Sequence, residues 1–203
     1  MFSGIVDHCG EVLKITRFQD SISLEISTRF ENLSLGESIA VDGVCLTVTA
    51  IHPASFCCDL SSETLNLTHL KHLKEHQALN LERSLRLNDF VGGHFVNGHV
   101  DQSATLASIR QEGDYREFSI TGIKPEFSVY LIQKGSISVN GVSLTINEVT
   151  DEGFKLMLIP HTLERTNLGY LKANDSVNLE FDIFSKTIFK QVSYLMRHQH
   201  EAQ

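Results

Sequence analysis

Cys45 and Ser143 stand in matching contexts, Gly-Val-Cys-Leu-Thr and Gly-Val-Ser-Leu-Thr. A thiol and a hydroxyl are hydrogen-bond donors, and each becomes a nucleophile once its proton is taken. Thr47 and Thr145 follow two residues later, which on a strand puts them on the same face. Such a pair suits hydrogen bonding to a flat polar ring, and equally an ordinary small-residue strand position. The stretch GGHFVNGHV holds His94 and His99 among glycines that let a ligand approach the backbone. Histidine is the side chain best placed to move protons near neutral pH. A third set, His69, His72 and His76, recurs at i, i+3 and i+7. Zinc ligation is the sharp reading of that run, but no Cys or Glu completes a set at metal-ligand spacing. The run therefore reads as a solvated face, as do His198 and His200 in the tail. No G-x-G-x-x-G, P-loop or G-x-S-x-G motif is present.

These residues are carried by a duplicated unit. Residues 38–83 align with residues 136–181 at a constant offset of 98, with 18 identities in 46 ungapped positions. SIAVDGVCLTVTAI lies over SISVNGVSLTINEV, and Asn80-Leu81-Glu82 over Asn178-Leu179-Glu180. Gly4-x-Val6-Asp7 likewise matches Gly98-x-Val100-Asp101. Matched positions that are identical are expected to maintain the fold, and those that differ to divide the chemistry. Cys45 against Ser143, and Ile5 against His99, are such differences. The histidine run falls on Asn167, Tyr170 and Asn174, so the unit itself does not need it.

Ile39 and Val41, then Leu46 and Val48, alternate with other residues across Asp42-Gly43, a strand–turn–strand pattern that Asn140-Gly141 repeats. Each half carries about six short strand candidates, as a small closed barrel requires. A short helix is expected after Leu60, capped by Ser61 or Ser62, and another after Leu158, with Pro160 in its first turn. In the tail, Ile188, Val192, Leu195 and Met196 recur at helical spacing with no counterpart in the first half. That helix must bury its stripe, and a partner subunit is the favoured cover. The expected division is 1–87, 88–185 and a tail helix over 186–203.

The formal net charge of −8 and the lack of a basic run argue against nucleic acid. No basic leader followed by a long apolar stretch opens the chain and no run is long enough to span a bilayer, so a cytoplasmic protein is expected. Cys9, Cys45, Cys57 and Cys58 then read as free thiols, the last two as small strand residues.

MFSGIV, GVCLTV, GGHFVNGHVD, KGSISVNGVSLT and IPHTLERTNLG together resemble the riboflavin synthase α-chain family, from Met1 to the tail helix. The resemblance implies an all-β chain of two tandem six-stranded antiparallel barrels of Greek-key type with a C-terminal α-helix. It implies a homotrimer in which the N-barrel of one subunit faces the C-barrel of a neighbour, and it makes lumazine synthase a candidate partner. The implied reaction is the dismutation of two 6,7-dimethyl-8-ribityllumazine molecules to riboflavin and 5-amino-6-ribitylaminouracil, with no cofactor and no metal. Carried over by motif, one pocket takes Gly4, Ile5 and Val6 with Cys45, Leu46, Thr47, Asp59, Leu60, Ser61, Ser62, Glu63 and Thr64. The other takes Gly98, His99 and Val100 with Ser143, Leu144, Thr145, Met157, Leu158, Ile159, Pro160, His161 and Thr162. Lys134 matches a position that reaches substrate across the subunit boundary. Proton handling falls to His99, Ser143 and Thr145, with Cys45 at the other pocket, and Phe2 and Asp182 match positions implicated in catalysis. Asn140 stands where Asp is common and His161 where Glu is common. Some relatives bind lumazine or flavin as a non-catalytic antenna; the presence of Cys45, His99 and Ser143 favours the enzyme.

Overall fold

The computed structural model describes residues 1–201, with side chains through residue 197. The side chains of His198 and His200, and residues 202–203, lie outside the described residues.

The first half forms β1 (His8–Arg17), β2 (Ser21–Ser27), β3 (Ser38–Val41), β4 (Val44–His52), β5 (Ser55–Ser61) and β6 (Ala78–Arg83). These close into an antiparallel barrel in the order β1-β2-β5-β4-β3-β6. The second half forms β7 (Gln102–Glu112), β8 (Tyr115–Thr121), β9 (Ser136–Val139), β10 (Val142–Thr150), β11 (Gly153–Leu158) and β12 (Ser176–Phe181). They close in the corresponding order, β7-β8-β11-β10-β9-β12. Closure leaves neither sheet an unpaired edge. The period-2 pattern does the sorting: Ile22, Leu24 and Ile26 of β2 point inward onto Phe56, Leu60 and Leu79, and Phe118 and Ile120 of β8 onto Phe154, Leu158 and Leu179. The two turns read from the sequence join β3 to β4 and β9 to β10. Asp42-Gly43 and Asn140-Gly141 all have positive φ, the conformation that a tight two-residue hairpin demands.

Helix α1 (Ser62–Leu67) starts at Ser61, whose hydroxyl accepts from Thr64 N, and α2 (Pro160–Arg165) starts with Pro160. Each runs into a single 3-10 turn, His69–His72 or Asn167–Tyr170, capped by the hydroxyl of Thr68 or Thr166. Helix α3 (Ile183–Glu201) begins somewhat before residue 186, because the Asp182 carboxylate accepts from Phe184 N at 2.8 Å and caps it. Phe184 packs edge-on to Phe95 and Phe189 edge-on to Tyr130. The stripe itself stays open: Ile188, Leu195 and Met196 are 62%, 60% and 61% exposed. No described helix is long and apolar enough to cross a membrane.

A buried polar seam joins the barrels. Asn80 Nδ2 donates to Asn140 O (2.8 Å) and to Asn167 Oδ1 (2.9 Å), and Asn167 Nδ2 donates to Asp42 Oδ1 at 2.9 Å. Asn178 Nδ2 donates to Asp42 O at 2.9 Å and its Oδ1 accepts from His69 N at 2.9 Å. The identical Asn80 and Asn178 of the repeat thus serve the join between the two barrels. His69 departs from its expected place on a solvated face. It is buried, with Nε2 3.1 Å from Asp42 Oδ2, outside hydrogen-bond geometry, while His72 and His76 remain exposed. The helical spacing misleads because α1 ends at Leu67 and a 3-10 turn follows, which points the first histidine inward.

Candidate functional site

Two short segments exchange between the barrels, and this exchange builds the site. The N-terminal segment precedes β1 of the first barrel, yet Gly4 O accepts from Ser143 N of the second at 2.8 Å. The segment preceding β7 does the reverse, with Gly98 O accepting from Cys45 N at 2.8 Å. Val6 accordingly packs on the core of the second barrel and Val100 on that of the first. Both glycines are obligatory: φ is +75° at Gly4 and +79° at Gly98. A Cβ on Gly4 would lie 2.6 Å from Ser143 Cβ, and one on Gly98 2.5 Å from Cys45 Cβ.

The pocket groupings expected from the motifs are therefore crossed over. Gly98, His99 and Val100 belong with Cys45, and with Glu63, Thr64, Leu67 and Thr68 they line a cavity of about 300 Å3. Gly4, Ile5 and Val6 belong with Ser143. The repeat aligns each segment with the other and carries no signal for which barrel receives it; long-range pairing alone decides that.

Each segment is anchored by a buried glutamate. Glu82 of β6 accepts from Ser3 N (2.7 Å), Ser3 Oγ (2.9 Å) and Gly4 N (3.0 Å). Glu180 of β12 accepts from Asn97 N (2.7 Å), Gly98 N (2.9 Å) and His99 N (3.0 Å). Burial pushes each carboxyl up to about 7, against the opposite pull of the donors around it. In the sequence Glu82 and Glu180 stand out only as a repeat identity, matched acidic residues that follow Leu81 and Leu179 at strand ends.

The two matched sites differ in their chemistry. At the second, His94 Nδ1 lies 2.7 Å from Ser143 Oγ. Burial lowers the His94 pKa below the ordinary 6.5, and the Asp182 charge partly offsets this. The imidazole is then neutral at pH 7 and able to accept the serine proton, with the donor assignment fixed by the tautomer. The resemblance gives proton handling to His99 and no role to His94, although both stand in GGHFVNGHV. His99, at the matched place of Ile5, is exposed on the rim beside Cys45. Cys45 is a half-buried free thiol.

The remaining expected residues divide by exposure. Thr47 and Thr145 point outward on the faces of Cys45 and Ser143, which are themselves partly accessible. Asp59, Ser61, Ser62 and Glu63 are exposed around the start of α1, with Thr64 half-buried. Ile159 and His161 are exposed around the start of α2, where Pro160 and Thr162 are half-buried. Met157 is half-buried and its N–H donates to Asn147 Oδ1 at 2.9 Å. Leu46, Leu60 and Leu158 are core residues, so only their backbones can face a ligand, while Leu144 packs on the second core and stays half-buried. Phe2 is fully buried with Ala40 and Val96 against Cys45, and exchanges backbone hydrogen bonds with Val96. Its ring is closed off from solvent behind Cys45, and its backbone fixes the place where the two segments meet. Lys134 is exposed with φ +66°, and among the described residues its ammonium has no partner.

The two repeated halves also match a known domain twice. The Lumazine binding domain model matches residues 3–84 and 97–182. The chain is 39% identical to a riboflavin synthase of Actinobacillus pleuropneumoniae, covering 93% of this chain and 88% of that protein. It is 37% identical to a riboflavin synthase of Brucella abortus, covering 96% and 99%. Among solved structures, LumP complexed with 6,7-dimethyl-8-(1'-D-ribityl) lumazine superposes with a TM-score of 0.81 at 28% identity, covering 89% of this chain and 98% of that one. LumP complexed with riboflavin gives the same TM-score and identity. With its two matched barrels and near full-length relatives above 30% identity, the chain belongs to the riboflavin synthase family of proteins with two lumazine-binding domains.

Proposed function

We propose that the protein is a riboflavin synthase, a transferase that moves a four-carbon unit from one 6,7-dimethyl-8-ribityllumazine to another. One observation carries this reading: the exchange of segments makes two matched sites of one design with different acid–base equipment, Cys45 with His99 at one and Ser143 with His94 at the other. A reaction between two identical molecules needs alike binding and unlike chemistry. The backbone of Gly4 to Val6 and of Gly98 to Val100, with the exposed hydroxyls near α1 and α2, supplies donors and acceptors for a flat heterocycle and a polyol. The donor molecule must lose a proton from its acidic 7-methyl group, and the acceptor must gain a nucleophile at C7. A neutral His94 next to Ser143 suits proton transfer at one pocket, and the Cys45 thiol suits addition or hydrogen bonding at the other. Asp182 acts through its charge on His94 and as the cap of α3. The substrate brings all the atoms of both products, so no step requires a cofactor.

The open stripe of α3 supports a homotrimer in which the pockets of neighbouring subunits face each other, with the exposed Lys134 reaching across. A cytoplasmic location and docking to lumazine synthase, the producer of the substrate, fit the same reading. The resemblance to LumP favours one competing function, binding without turnover. Incubating purified protein with 6,7-dimethyl-8-ribityllumazine and following riboflavin by absorbance decides between them. Turnover is expected; tight binding with no riboflavin formed establishes the antenna instead.

A further inference from the structure

Away from both pockets, the outer face of the first barrel brings together Glu25 of β2, His52 of β4 and Cys57 of β5. Their ligand atoms all lie within 4.8 Å of one another. The ladders explain the convergence. Glu25 and Cys57 are direct cross-strand partners, and Cys57 also pairs with Ala50, which puts His52 on the neighbouring diagonal of the same outward face. Cys57 Sγ and His52 Nε2 are 3.8 Å apart. A tetrahedral zinc with bonds of about 2.3 Å to sulfur and about 2.05 Å to nitrogen holds the two about 3.6 Å apart. Ser55 Oγ donates to Glu25 Oε1 at 2.7 Å, the sort of outer contact that orients a ligating carboxylate.

Around the cluster the charges of Glu25 and Asp59 outnumber that of Lys14, a setting that a divalent cation would balance. The repeat supplies an internal control. The matched positions of the second barrel are Ser119, Thr150 and Lys155, none of them a metal ligand in that setting, and Lys155 is itself a cation paired with Glu148. The barrel fold has no need of Glu25, His52 and Cys57.

We propose that Glu25, His52 and Cys57 form a surface site for a zinc-type divalent ion, with the fourth position open to water or an external donor. A thiolate, an imidazole and a carboxylate make a borderline-soft donor set that selects zinc or cobalt over magnesium or calcium. The ion ties β2, β4 and β5 together outside the barrel, on the strand that runs into Ser61 and α1. Its role is structural or regulatory, separate from the dismutation.

The test titrates the full-length, metal-free protein with Co2+. One Co2+ per chain is expected, with a sulfur-to-cobalt charge-transfer band and the visible bands of a tetrahedral ion, both abolished by added Zn2+. Cys57→Ser should remove the charge-transfer band and weaken Co2+ binding at least tenfold, while Cys9→Ser keeps both. His52→Ala, at an exposed position, should weaken binding without moving the melting temperature of the metal-free protein, which separates loss of a ligand from misfolding. Absence of the charge-transfer band in the unaltered protein, or its persistence in Cys57→Ser, overturns the site.

Discussion

At the scale of single residues, the difference between the pockets rests on what each nucleophile is paired with. Ser143 faces an imidazole at 2.7 Å whose pKa is held below 6.5 by burial. Protonating His94 converts Nδ1 from an acceptor into a donor and ends its use as a base. The acid limb of the kcat profile should therefore fall below pH 6.5, and His94→Gln should remove that limb and lower kcat by about 100-fold or more, the usual weight of a positioned base. Steady-state kinetics between pH 5 and 8 provide the measurement; an unchanged profile in the variant assigns the proton elsewhere. The sequence made both histidines of GGHFVNGHV visible as candidates. It could not rank them, because ranking depends on which reaches a hydroxyl across the fold. Phe2, matched by motif to a position implicated in catalysis, is enclosed packing against Cys45, a placement that only the folded chain reveals.

At the scale of elements, strands and turns were legible because their causes are local. The alternation of Leu24 and Ile26, the Asp42-Gly43 turn and the Ser61 cap each act within a few residues. The exchange of the segments at Gly4 and Gly98 was not legible, since it depends on the long-range contacts Gly4–Ser143 and Cys45–Gly98 between nearly equivalent surfaces. The glutamates that hold these segments carry a pH signature. A carboxyl raised to about 7 in the folded protein and near 4.3 when unfolded binds its proton more tightly in the native state. The contribution to stability is thus fully present below about pH 4.3 and is lost as pH rises through about 7. Denaturant midpoints measured from pH 5 to 8 should decline with pH, and the decline should flatten in the double variant Glu82→Gln, Glu180→Gln. An equal slope in both proteins removes these groups from the explanation.

At the scale of the whole molecule, the chain solves its internal packing and leaves one surface unsolved. The barrels are locked together by Asn80, Asn167, Asn178 and Asp42, a seam in which nearly every polar atom has a partner. Leaving one such group unpaired costs about 1–3 kcal/mol, so the relative placement of the barrels is well specified. Helix α3 contributes little to that core. One flank rests on Phe95 and Tyr130, while Ile188, Val192, Leu195 and Met196 stay open to water. Burying that stripe against a partner, as the proposed trimer would, is worth roughly 25 cal/mol per Å2. Removing residues 186–203 should therefore leave the barrels folded, with unchanged far-ultraviolet strand signal, and convert the proposed trimer to monomers in sedimentation velocity. If the pockets of adjacent subunits must face each other, the same truncation lowers kcat far more than it weakens binding of a single lumazine. A truncated chain that remains trimeric assigns assembly to the barrels themselves, and a monomer with full turnover confines the reaction to one subunit.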